Sequence, residues 1–382
     1  MMRRKSSLSR RSMNHLNIRR RGKRTRKIRR RGKRTKKIRR GKRTRKIRGG
    51  GNKITGILPG KPRHLDKGEK DTEEVVVLSF NILSGGGGYG PYSRIAEIIS
   101  NSAANMVMLQ EPYILGQIDK PDHGHIESIV EDLGREWKFW VGNPQGSDNT
   151  TAFLSPWSFN VIESTGTVVV TTPSGNEMAV HNVHLSAKPY GPYTAARMLK
   201  SGKRPEAVVA EVTREAVKTR KDEVKGFMSA VETQTGQGRH CLLAGDFNEP
   251  SHLSRSIMDI RWPCSKAAEE AGLIDCYSTH CQRTGSPMLD SWTWSWIKYL
   301  AQASSSERKF IKSHGEISDR IDYIYLASPS PKTNPRSLVA LKSCVLVGDN
   351  LECAEVEDSP WPSDHAAVLA TFVISPADED DV

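Results

Sequence analysis

The sequence predicts a layered α/β (α+β) domain of about 300 residues with a separate basic arm in front of it, on three observations. Apolar runs of strand length outnumber helical stretches. The helical stretches fall between groups of those runs. Charge is divided along the chain: of 382 residues, the first 50 carry 26 of the 58 Lys and Arg and none of the 43 Asp and Glu. The net charge of +15 is therefore a +26 arm joined to a −11 body, which excludes a uniformly basic nucleic-acid-binding domain.

The arm is a repeat: residues 18–27 read IRRRGKRTRK, 28–37 IRRRGKRTKK and 38–46 IRRGKRTRK. One Ile per unit provides no continuous apolar face and like charges repel, so residues 1–53 are expected to be disordered, with 54–73 as linker. Such runs bind phosphate polyanions by counterion release, coat anionic membrane surfaces, or act as nuclear or nucleolar addresses. A solvated expansion without a selected role is the bland alternative. No stretch reaches the roughly 18–20 apolar residues of a membrane helix, and no apolar segment follows the basic start as in a secretory signal. The expectation is an intracellular protein, nuclear or nucleolar by its arm, with the cytoplasm or, given the Arg- and Ser-rich start, mitochondria as alternatives. Six cysteines without a C-x-x-C pair read as reduced thiols.

The body, residues 74–376, opens with 75–83 (VVVLSFNIL), a β-branched run that reads as a buried strand ending in a glycine-rich loop. Residues 92–103 have helical spacing through Ile95, Ile98 and Ile99, and 106–109 form a second strand followed by Gln110 and Glu111. Further strands are expected at 151–155, 167–171 and 177–185, a long helix at 205–232, and strands at 240–244, 320–326, 338–347 and 366–374. Residues 377–382 are an acidic tail.

The apolar strands terminate in polar groups: Asn81, Glu111, His184, Asp246 with Asn248, Asp322, and Asp364 with His365. Buried strands have no use for such groups unless they are paired or bind a metal. Taken singly, each is more often a satisfied turn or surface residue. Together, oxygen donors with His and Asn suit a hard divalent cation acting on phosphate. A loop after His184 holds Tyr190, Tyr193, Arg197, Lys200, Lys203 and Arg204, and could rim a pocket for an anionic substrate or be merely solvated. Trp292, Trp294 and Trp296 alternate, which would place all three on one strand face, where they could stack on a base or pack the core. His181, on the opposite strand face from His184, reads as structural.

At these residues the chain resembles the endonuclease/exonuclease/phosphatase superfamily, the deoxyribonuclease I-like fold. The matching pieces are SFNIL (79–83), LQE (109–111), NVHL (182–185), GDFN (245–248), TW (293–294), RIDYIY (320–325) and SDH (363–365). The resemblance covers about 74–375 and none of the arm. It implies a four-layered α/β sandwich with two packed mixed β-sheets and a site at the strand ends. It also implies a Mg²⁺-dependent phosphoesterase, with Mn²⁺ as substitute, hydrolysing its ester by in-line attack of water. Glu111 would be the principal metal ligand, with Asn81 and Asp364 beside it. Asp246 would orient or deprotonate the water, with His365 the other candidate for general base, Asn248 would contact a phosphate oxygen, and His184 would touch the phosphate. Asp322 would support a cationic His365, and Trp294 would border the substrate. Nucleic acid is the first expected substrate and a monomer the expected state. A phosphoinositide or other lipid-headgroup phosphatase, and an inactive nucleic-acid-binding protein, are the alternatives. GDFN runs into Glu249-Pro250-Ser251-His252, which marks neither the inositol-phosphate 5-phosphatase nor the abasic-site endonuclease branch.

Overall fold

The computed structural model describes residues 72–86, 91–113, 124–143, 149–254, 258–288, 291–295, 305, 309, 317–330, 337–349 and 354–376. The arm, most of the linker, the acidic tail, Trp296 and Cys353 lie outside the described residues.

From the N-terminal side, the elements are β1 (Glu73–Asn81), α1 (Tyr92–Ser102), β2 (Met106–Gln110), α2 (Gly124–Leu133) and β3 (Lys138–Gly142). Next come β4 (Thr151–Ser155), β5 (Ser158–Ile162), β6 (Thr167–Thr171), β7 (Glu177–His184), α3 (Gly191–Lys200) and α4 (Pro205–Gly236). β8 (His240–Asp246), α5 (Pro263–Glu270), β9 (Ile274–Asp275) and α6 (Cys276–Thr284) follow. The last are β10 (Trp294–Ser295), β11 (Ser318–Asp319), β12 (Asp322–Ala327), β13 (Ser337–Gly348), β14 (Val356–Glu357) and β15 (Ala367–Pro376).

Two mixed sheets result, a seven-stranded one in the order β14-β13-β15-β1-β2-β4-β3 and a six-stranded one in the order β5-β6-β7-β8-β12-β9. β10 and β11 form a small separate pair. The unbroken apolar run of β1 has a physical cause, because its alternate residues feed two different cores. Val75 and Val77 point between the sheets, where they meet Met106, Phe153, Val180, Leu242 and Ile324. Val76, Leu78 and Phe80 point outward under Ile95, Ile98 and Ile99 of α1 and Ile126 and Ile129 of α2. On the far side, Val183, Leu243, Tyr323 and Tyr325 are covered by Val224, Phe227 and Val231 of α4. Helix, sheet, sheet, helix make four layers. Each fully buried aliphatic side chain contributes about 1.5–3 kcal/mol.

One expectation is overturned. The segment after His184 is not a loop throughout, since residues 191–200 form α3. Pro192 occupies the first helical turn, where its fixed φ fits and its missing N–H has no partner to lose.

Strand direction gathers the polar termini. β1 runs parallel to β2, and β7 parallel to β8, so these four strands deliver their C-terminal ends to one edge. β12 and β15 run antiparallel to β8 and β1 and arrive there with their N-terminal ends. His184, Asp246 and Asp322 are direct cross-strand partners in one row. Below this edge the sheets are tied by buried amides: Gln110 Nε2 donates to Asn182 Oδ1 (2.7 Å), and Asn182 Nδ2 donates to the carbonyls of Leu109 (3.1 Å) and Ala152 (2.8 Å).

Candidate active site

Asp246 lies at the centre. Its approach to β7 depends on Gly245, whose φ is +140° and whose absent Cβ would sit 1.9 Å from the Val183 carbonyl oxygen. Asp246 Oδ2 accepts from Asn81 Nδ2 at 3.0 Å and lies 3.7 Å from His184 Nε2 and 3.8 Å from His365 Nε2. Its Oδ1 accepts from the Asn248 amide at 2.7 Å. The carboxyl is pushed up to about 6, by burial first and by the charge of Asp322 second, with His365 and His184 opposing.

Glu111 stands at φ +56°, a conformation rare outside glycine, and the turn after β1 folds over it. Ser84 N donates to Glu111 Oε2 (2.9 Å), Gly85 N to its carbonyl (2.7 Å), and Asn81 Nδ2 to Oε1 (3.3 Å). Asn248 also has a positive φ, +48°. Its Nδ2 donates to the Leu185 carbonyl at 2.9 Å and to Asp246 Oδ2 at 3.4 Å, so both amide hydrogens brace the turn and the longer bond is the one a phosphate oxygen could replace.

His365 Nδ1 donates to Asp322 Oδ2 at 2.9 Å. Burial alone would lower this imidazole, but Asp322, then Asp246 and Asp364, raise it to about 10, so it is an imidazolium at neutral pH. Asp364 accepts from Trp294 Nε1 on Oδ2 at 3.0 Å, while its buried Oδ1 has no hydrogen-bond partner among the described residues. Its carboxyl is raised by burial; His365 opposes that, and the charge of Glu111 adds to it.

Two places could hold a cation. Ligand atoms of Asp246, Asp322 and His365 lie within 4.8 Å of one another, the one such His/Cys/Asp/Glu group among the described residues. There, however, the His365 imidazolium already supplies positive charge. The second place lies between Asp364 and Glu111, whose charges disfavour each other; among the described residues neither Asp364 Oδ1 there nor Asp322 Oδ1 at the first place has a hydrogen-bond partner. An oxygen-only donor set of this kind fits a hard divalent ion.

Of the remaining candidates, Tyr190, Tyr193 and Trp294 are brought together, with ring centroids 5.2–6.4 Å apart. Tyr190 donates to Asp319 Oδ2 at 2.8 Å. Burial, then Asp319, pushes the Tyr190 phenol well up, and Asp246 adds to that shift. The Arg197 side chain is exposed on α3. Trp292 and Trp294 do not share a stripe. Trp292 packs with Ala354 and Ala366, while Trp294 packs with Ala196 and Ile317, because the extended segment begins only at Trp294. His181 is buried against Thr167 Oγ1 (3.3 Å), away from the cluster.

Sequence reasoning missed the residues that hold the others in place. Thr293 Oγ1 accepts from Ile321 N (2.9 Å) and Asp322 N (3.0 Å), while the Thr293 carbonyl accepts from Ala366 N (2.6 Å). Ser363 Oγ donates to the Asn81 carbonyl (2.7 Å) and accepts from His365 N (3.1 Å). Thr293, Ser363 and Asn182 lie within quoted motifs, and that is the only signal the sequence offered.

The four-layered fold with polar strand ends gathered at one edge is of the deoxyribonuclease I-like kind. Residues 78–365 match the Endonuclease/Exonuclease/phosphatase family, and the chain belongs to it. That family is one of phosphoesterases that generally depend on divalent metals. No curated protein sequence matches the chain. Among solved structures, it is similar to truncated TDP2 from Caenorhabditis elegans (18% identity, 78% of this chain and 97% of that one, TM-score 0.43). It is also similar to the human Nocturnin catalytic domain with bound sulfate (13%, 80% and 98%, TM-score 0.43). A third likeness is to an endonuclease/exonuclease/phosphatase family protein from Leptotrichia buccalis (13%, 78% and 98%, TM-score 0.42).

Proposed function

We propose that this chain is a Mg²⁺-dependent phosphodiesterase of nucleic acid, able to use Mn²⁺, whose catalytic domain is residues 74–376 and whose arm, residues 1–53, retains it on the polyanion. The observation that carries the chemistry is the convergence of Asn81, His184, and His365 on one carboxylate oxygen of Asp246, beside the Glu111–Asp364 pair.

Glu111, with Asn81 and Asp364, would hold the metal. A divalent cation bound there neutralises charge on the phosphoryl oxygens and on the departing oxygen. Asp246, ionised at neutral pH and surrounded by hydrogen-bond donors, orients the attacking water and takes its proton as the new P–O bond forms and the ester P–O bond breaks. His365, held by Asp322 through Nδ1, presents Nε2–H to a phosphoryl oxygen and stabilises the charge that develops there. His184 faces the same oxygens from the neighbouring strand, and Asn248 gives up its long bond to Asp246 to contact one of them. Tyr190, Tyr193, Arg197 and Trp294 border the substrate.

Support for nucleic acid comes from charge. An acidic body of −11 gains little affinity for a polyanion on its own, and a +26 arm supplies it by counterion release. The same argument supports a nuclear or nucleolar address. Among the described residues no helix is long and apolar enough to cross a membrane.

The test is hydrolysis by the full chain of single- and double-stranded DNA and RNA, phosphoinositides, sphingomyelin and bis(p-nitrophenyl) phosphate, with Mg²⁺, Mn²⁺ or EDTA. Polynucleotide turnover that requires metal and falls by two orders of magnitude or more in Glu111→Ala is expected. Turnover confined to phosphoinositides would overturn the substrate assignment, and normal turnover by Glu111→Ala would overturn the metal assignment.

A further inference from the structure

The aromatic group beside the site leads into α3, whose outer face carries Arg197, already placed at the substrate, and further cations beyond it. On α3, Tyr193, Arg197 and Lys200 are spaced i, i+4 and i+7 and share one stripe. At the near end Tyr193 stands edge-on to Tyr190 (5.2 Å) and Trp294 (6.4 Å), and Trp294 is bonded to Asp364. All three rings are half-buried and so keep surface for a ligand. At the far end Arg197 and Lys200 are exposed, as are Lys203 and Arg204 just beyond.

The helix is firmly seated. Ala195, Met198 and Leu199 pack on Val208 and Val212 of α4 and on Trp262. Gly191 lies so close to Trp262 that a Cβ would be 2.5 Å from the ring. The stripe is therefore carried on a fixed helix, two cations beginning at an aromatic surface that touches the site.

We infer that α3 is a track for a single-stranded polynucleotide, in which one base beside the cleaved bond lies against Tyr193 and Trp294 and the following phosphates lie on Arg197 and Lys200. The inference rests on the phosphodiesterase reading and adds the strandedness of the substrate and its direction away from the site. A duplex keeps its base faces stacked on one another, whereas a single strand offers them to protein rings. The seven steps from Tyr193 to Lys200 rise about 10 Å at about 1.5 Å per residue, room for one base and the phosphates that follow it. Affinity should therefore grow with length over the first few nucleotides and then level off.

The experiment uses the full chain and its Arg197→Ala/Lys200→Ala variant on oligodeoxynucleotides of two to eight residues, single-stranded and annealed. Both substitutions are at exposed positions. For a single-stranded hexamer the variant should show a KM raised about tenfold with kcat little changed. Its slope of log(kcat/KM) against log salt should be shallower by about 1.4, at about 0.7 per phosphate contact on a single strand. An unchanged KM and salt slope, or a wild-type preference for the annealed duplex, would overturn the track. An equal rise in KM for a soluble phosphoinositide would make α3 a general anion contact and overturn the polynucleotide assignment. Wild-type enzyme that hydrolyses bis(p-nitrophenyl) phosphate while the track fails leaves the phosphodiesterase reading standing. Enzyme that hydrolyses neither small diester nor oligonucleotide overturns both.

Discussion

Thr293→Val removes one oxygen from the interior at nearly constant shape, and the structure sets the size of the loss. That oxygen accepts from Ile321 N at 2.9 Å and Asp322 N at 3.0 Å, and all three residues are buried. Each orphaned amide costs about 1–3 kcal/mol, so the pair should cost about 2–6 kcal/mol. This is a large share of a typical stability of about 5–15 kcal/mol. Thr293→Ser keeps the acceptor, loses one methyl group and should cost only about 1 kcal/mol. Urea unfolding of the three proteins at pH 7 measures both values. Val as stable as Ser, or more stable, would show that these amides find other partners and that Thr293 does not anchor Asp322.

Gly245→Ala should destabilise by more than about 3 kcal/mol or prevent folding, because its Cβ would meet the Val183 carbonyl at 1.9 Å. Gly236→Ala, at the end of α4 with nothing within 4 Å, should instead stabilise by about 0.5–1 kcal/mol, and thermal melts of the two variants check the contrast. Burial pushes His181 down to about 4, so the unfolded chain takes up that proton first as the pH falls from about 6.5. The resulting loss of stability, up to about 3 kcal/mol by pH 4, should shrink in His181→Gln when unfolding is compared at pH 7 and 4.5. Deleting residues 1–53 should spare hydrolysis of bis(p-nitrophenyl) phosphate but weaken retention on polynucleotide, most at low salt, in a binding titration.

The strands were legible as short apolar runs between turn residues: residues 151–155 and 167–171 coincide with β4 and β6, the second of them β-branched throughout. α6, with the sequence CYSTHCQRT, was not legible, because its few apolar residues form no stripe and its start is set by Asp275 accepting from Ser278 N. β5 is only half-buried and shows no strict alternation. For the polar strand ends, the sequence told which residue types stand where strands terminate. It could not tell that His184, Asp246 and Asp322 lie side by side, since that depends on register between strands far apart in the chain. The tryptophan stripe failed for a related reason: alternation in sequence becomes a shared face only if the backbone is extended throughout.

β15 is made last among the described strands, yet its place is between β13 and β1 in the middle of the larger sheet. An emerging chain thus holds Asn81, Glu111, His184 and Asp246 long before Asp364 and His365 exist to join them. Without β15, β1 and β13 are left with open edges. Residues 364–376 thus complete both the polar cluster and the larger sheet.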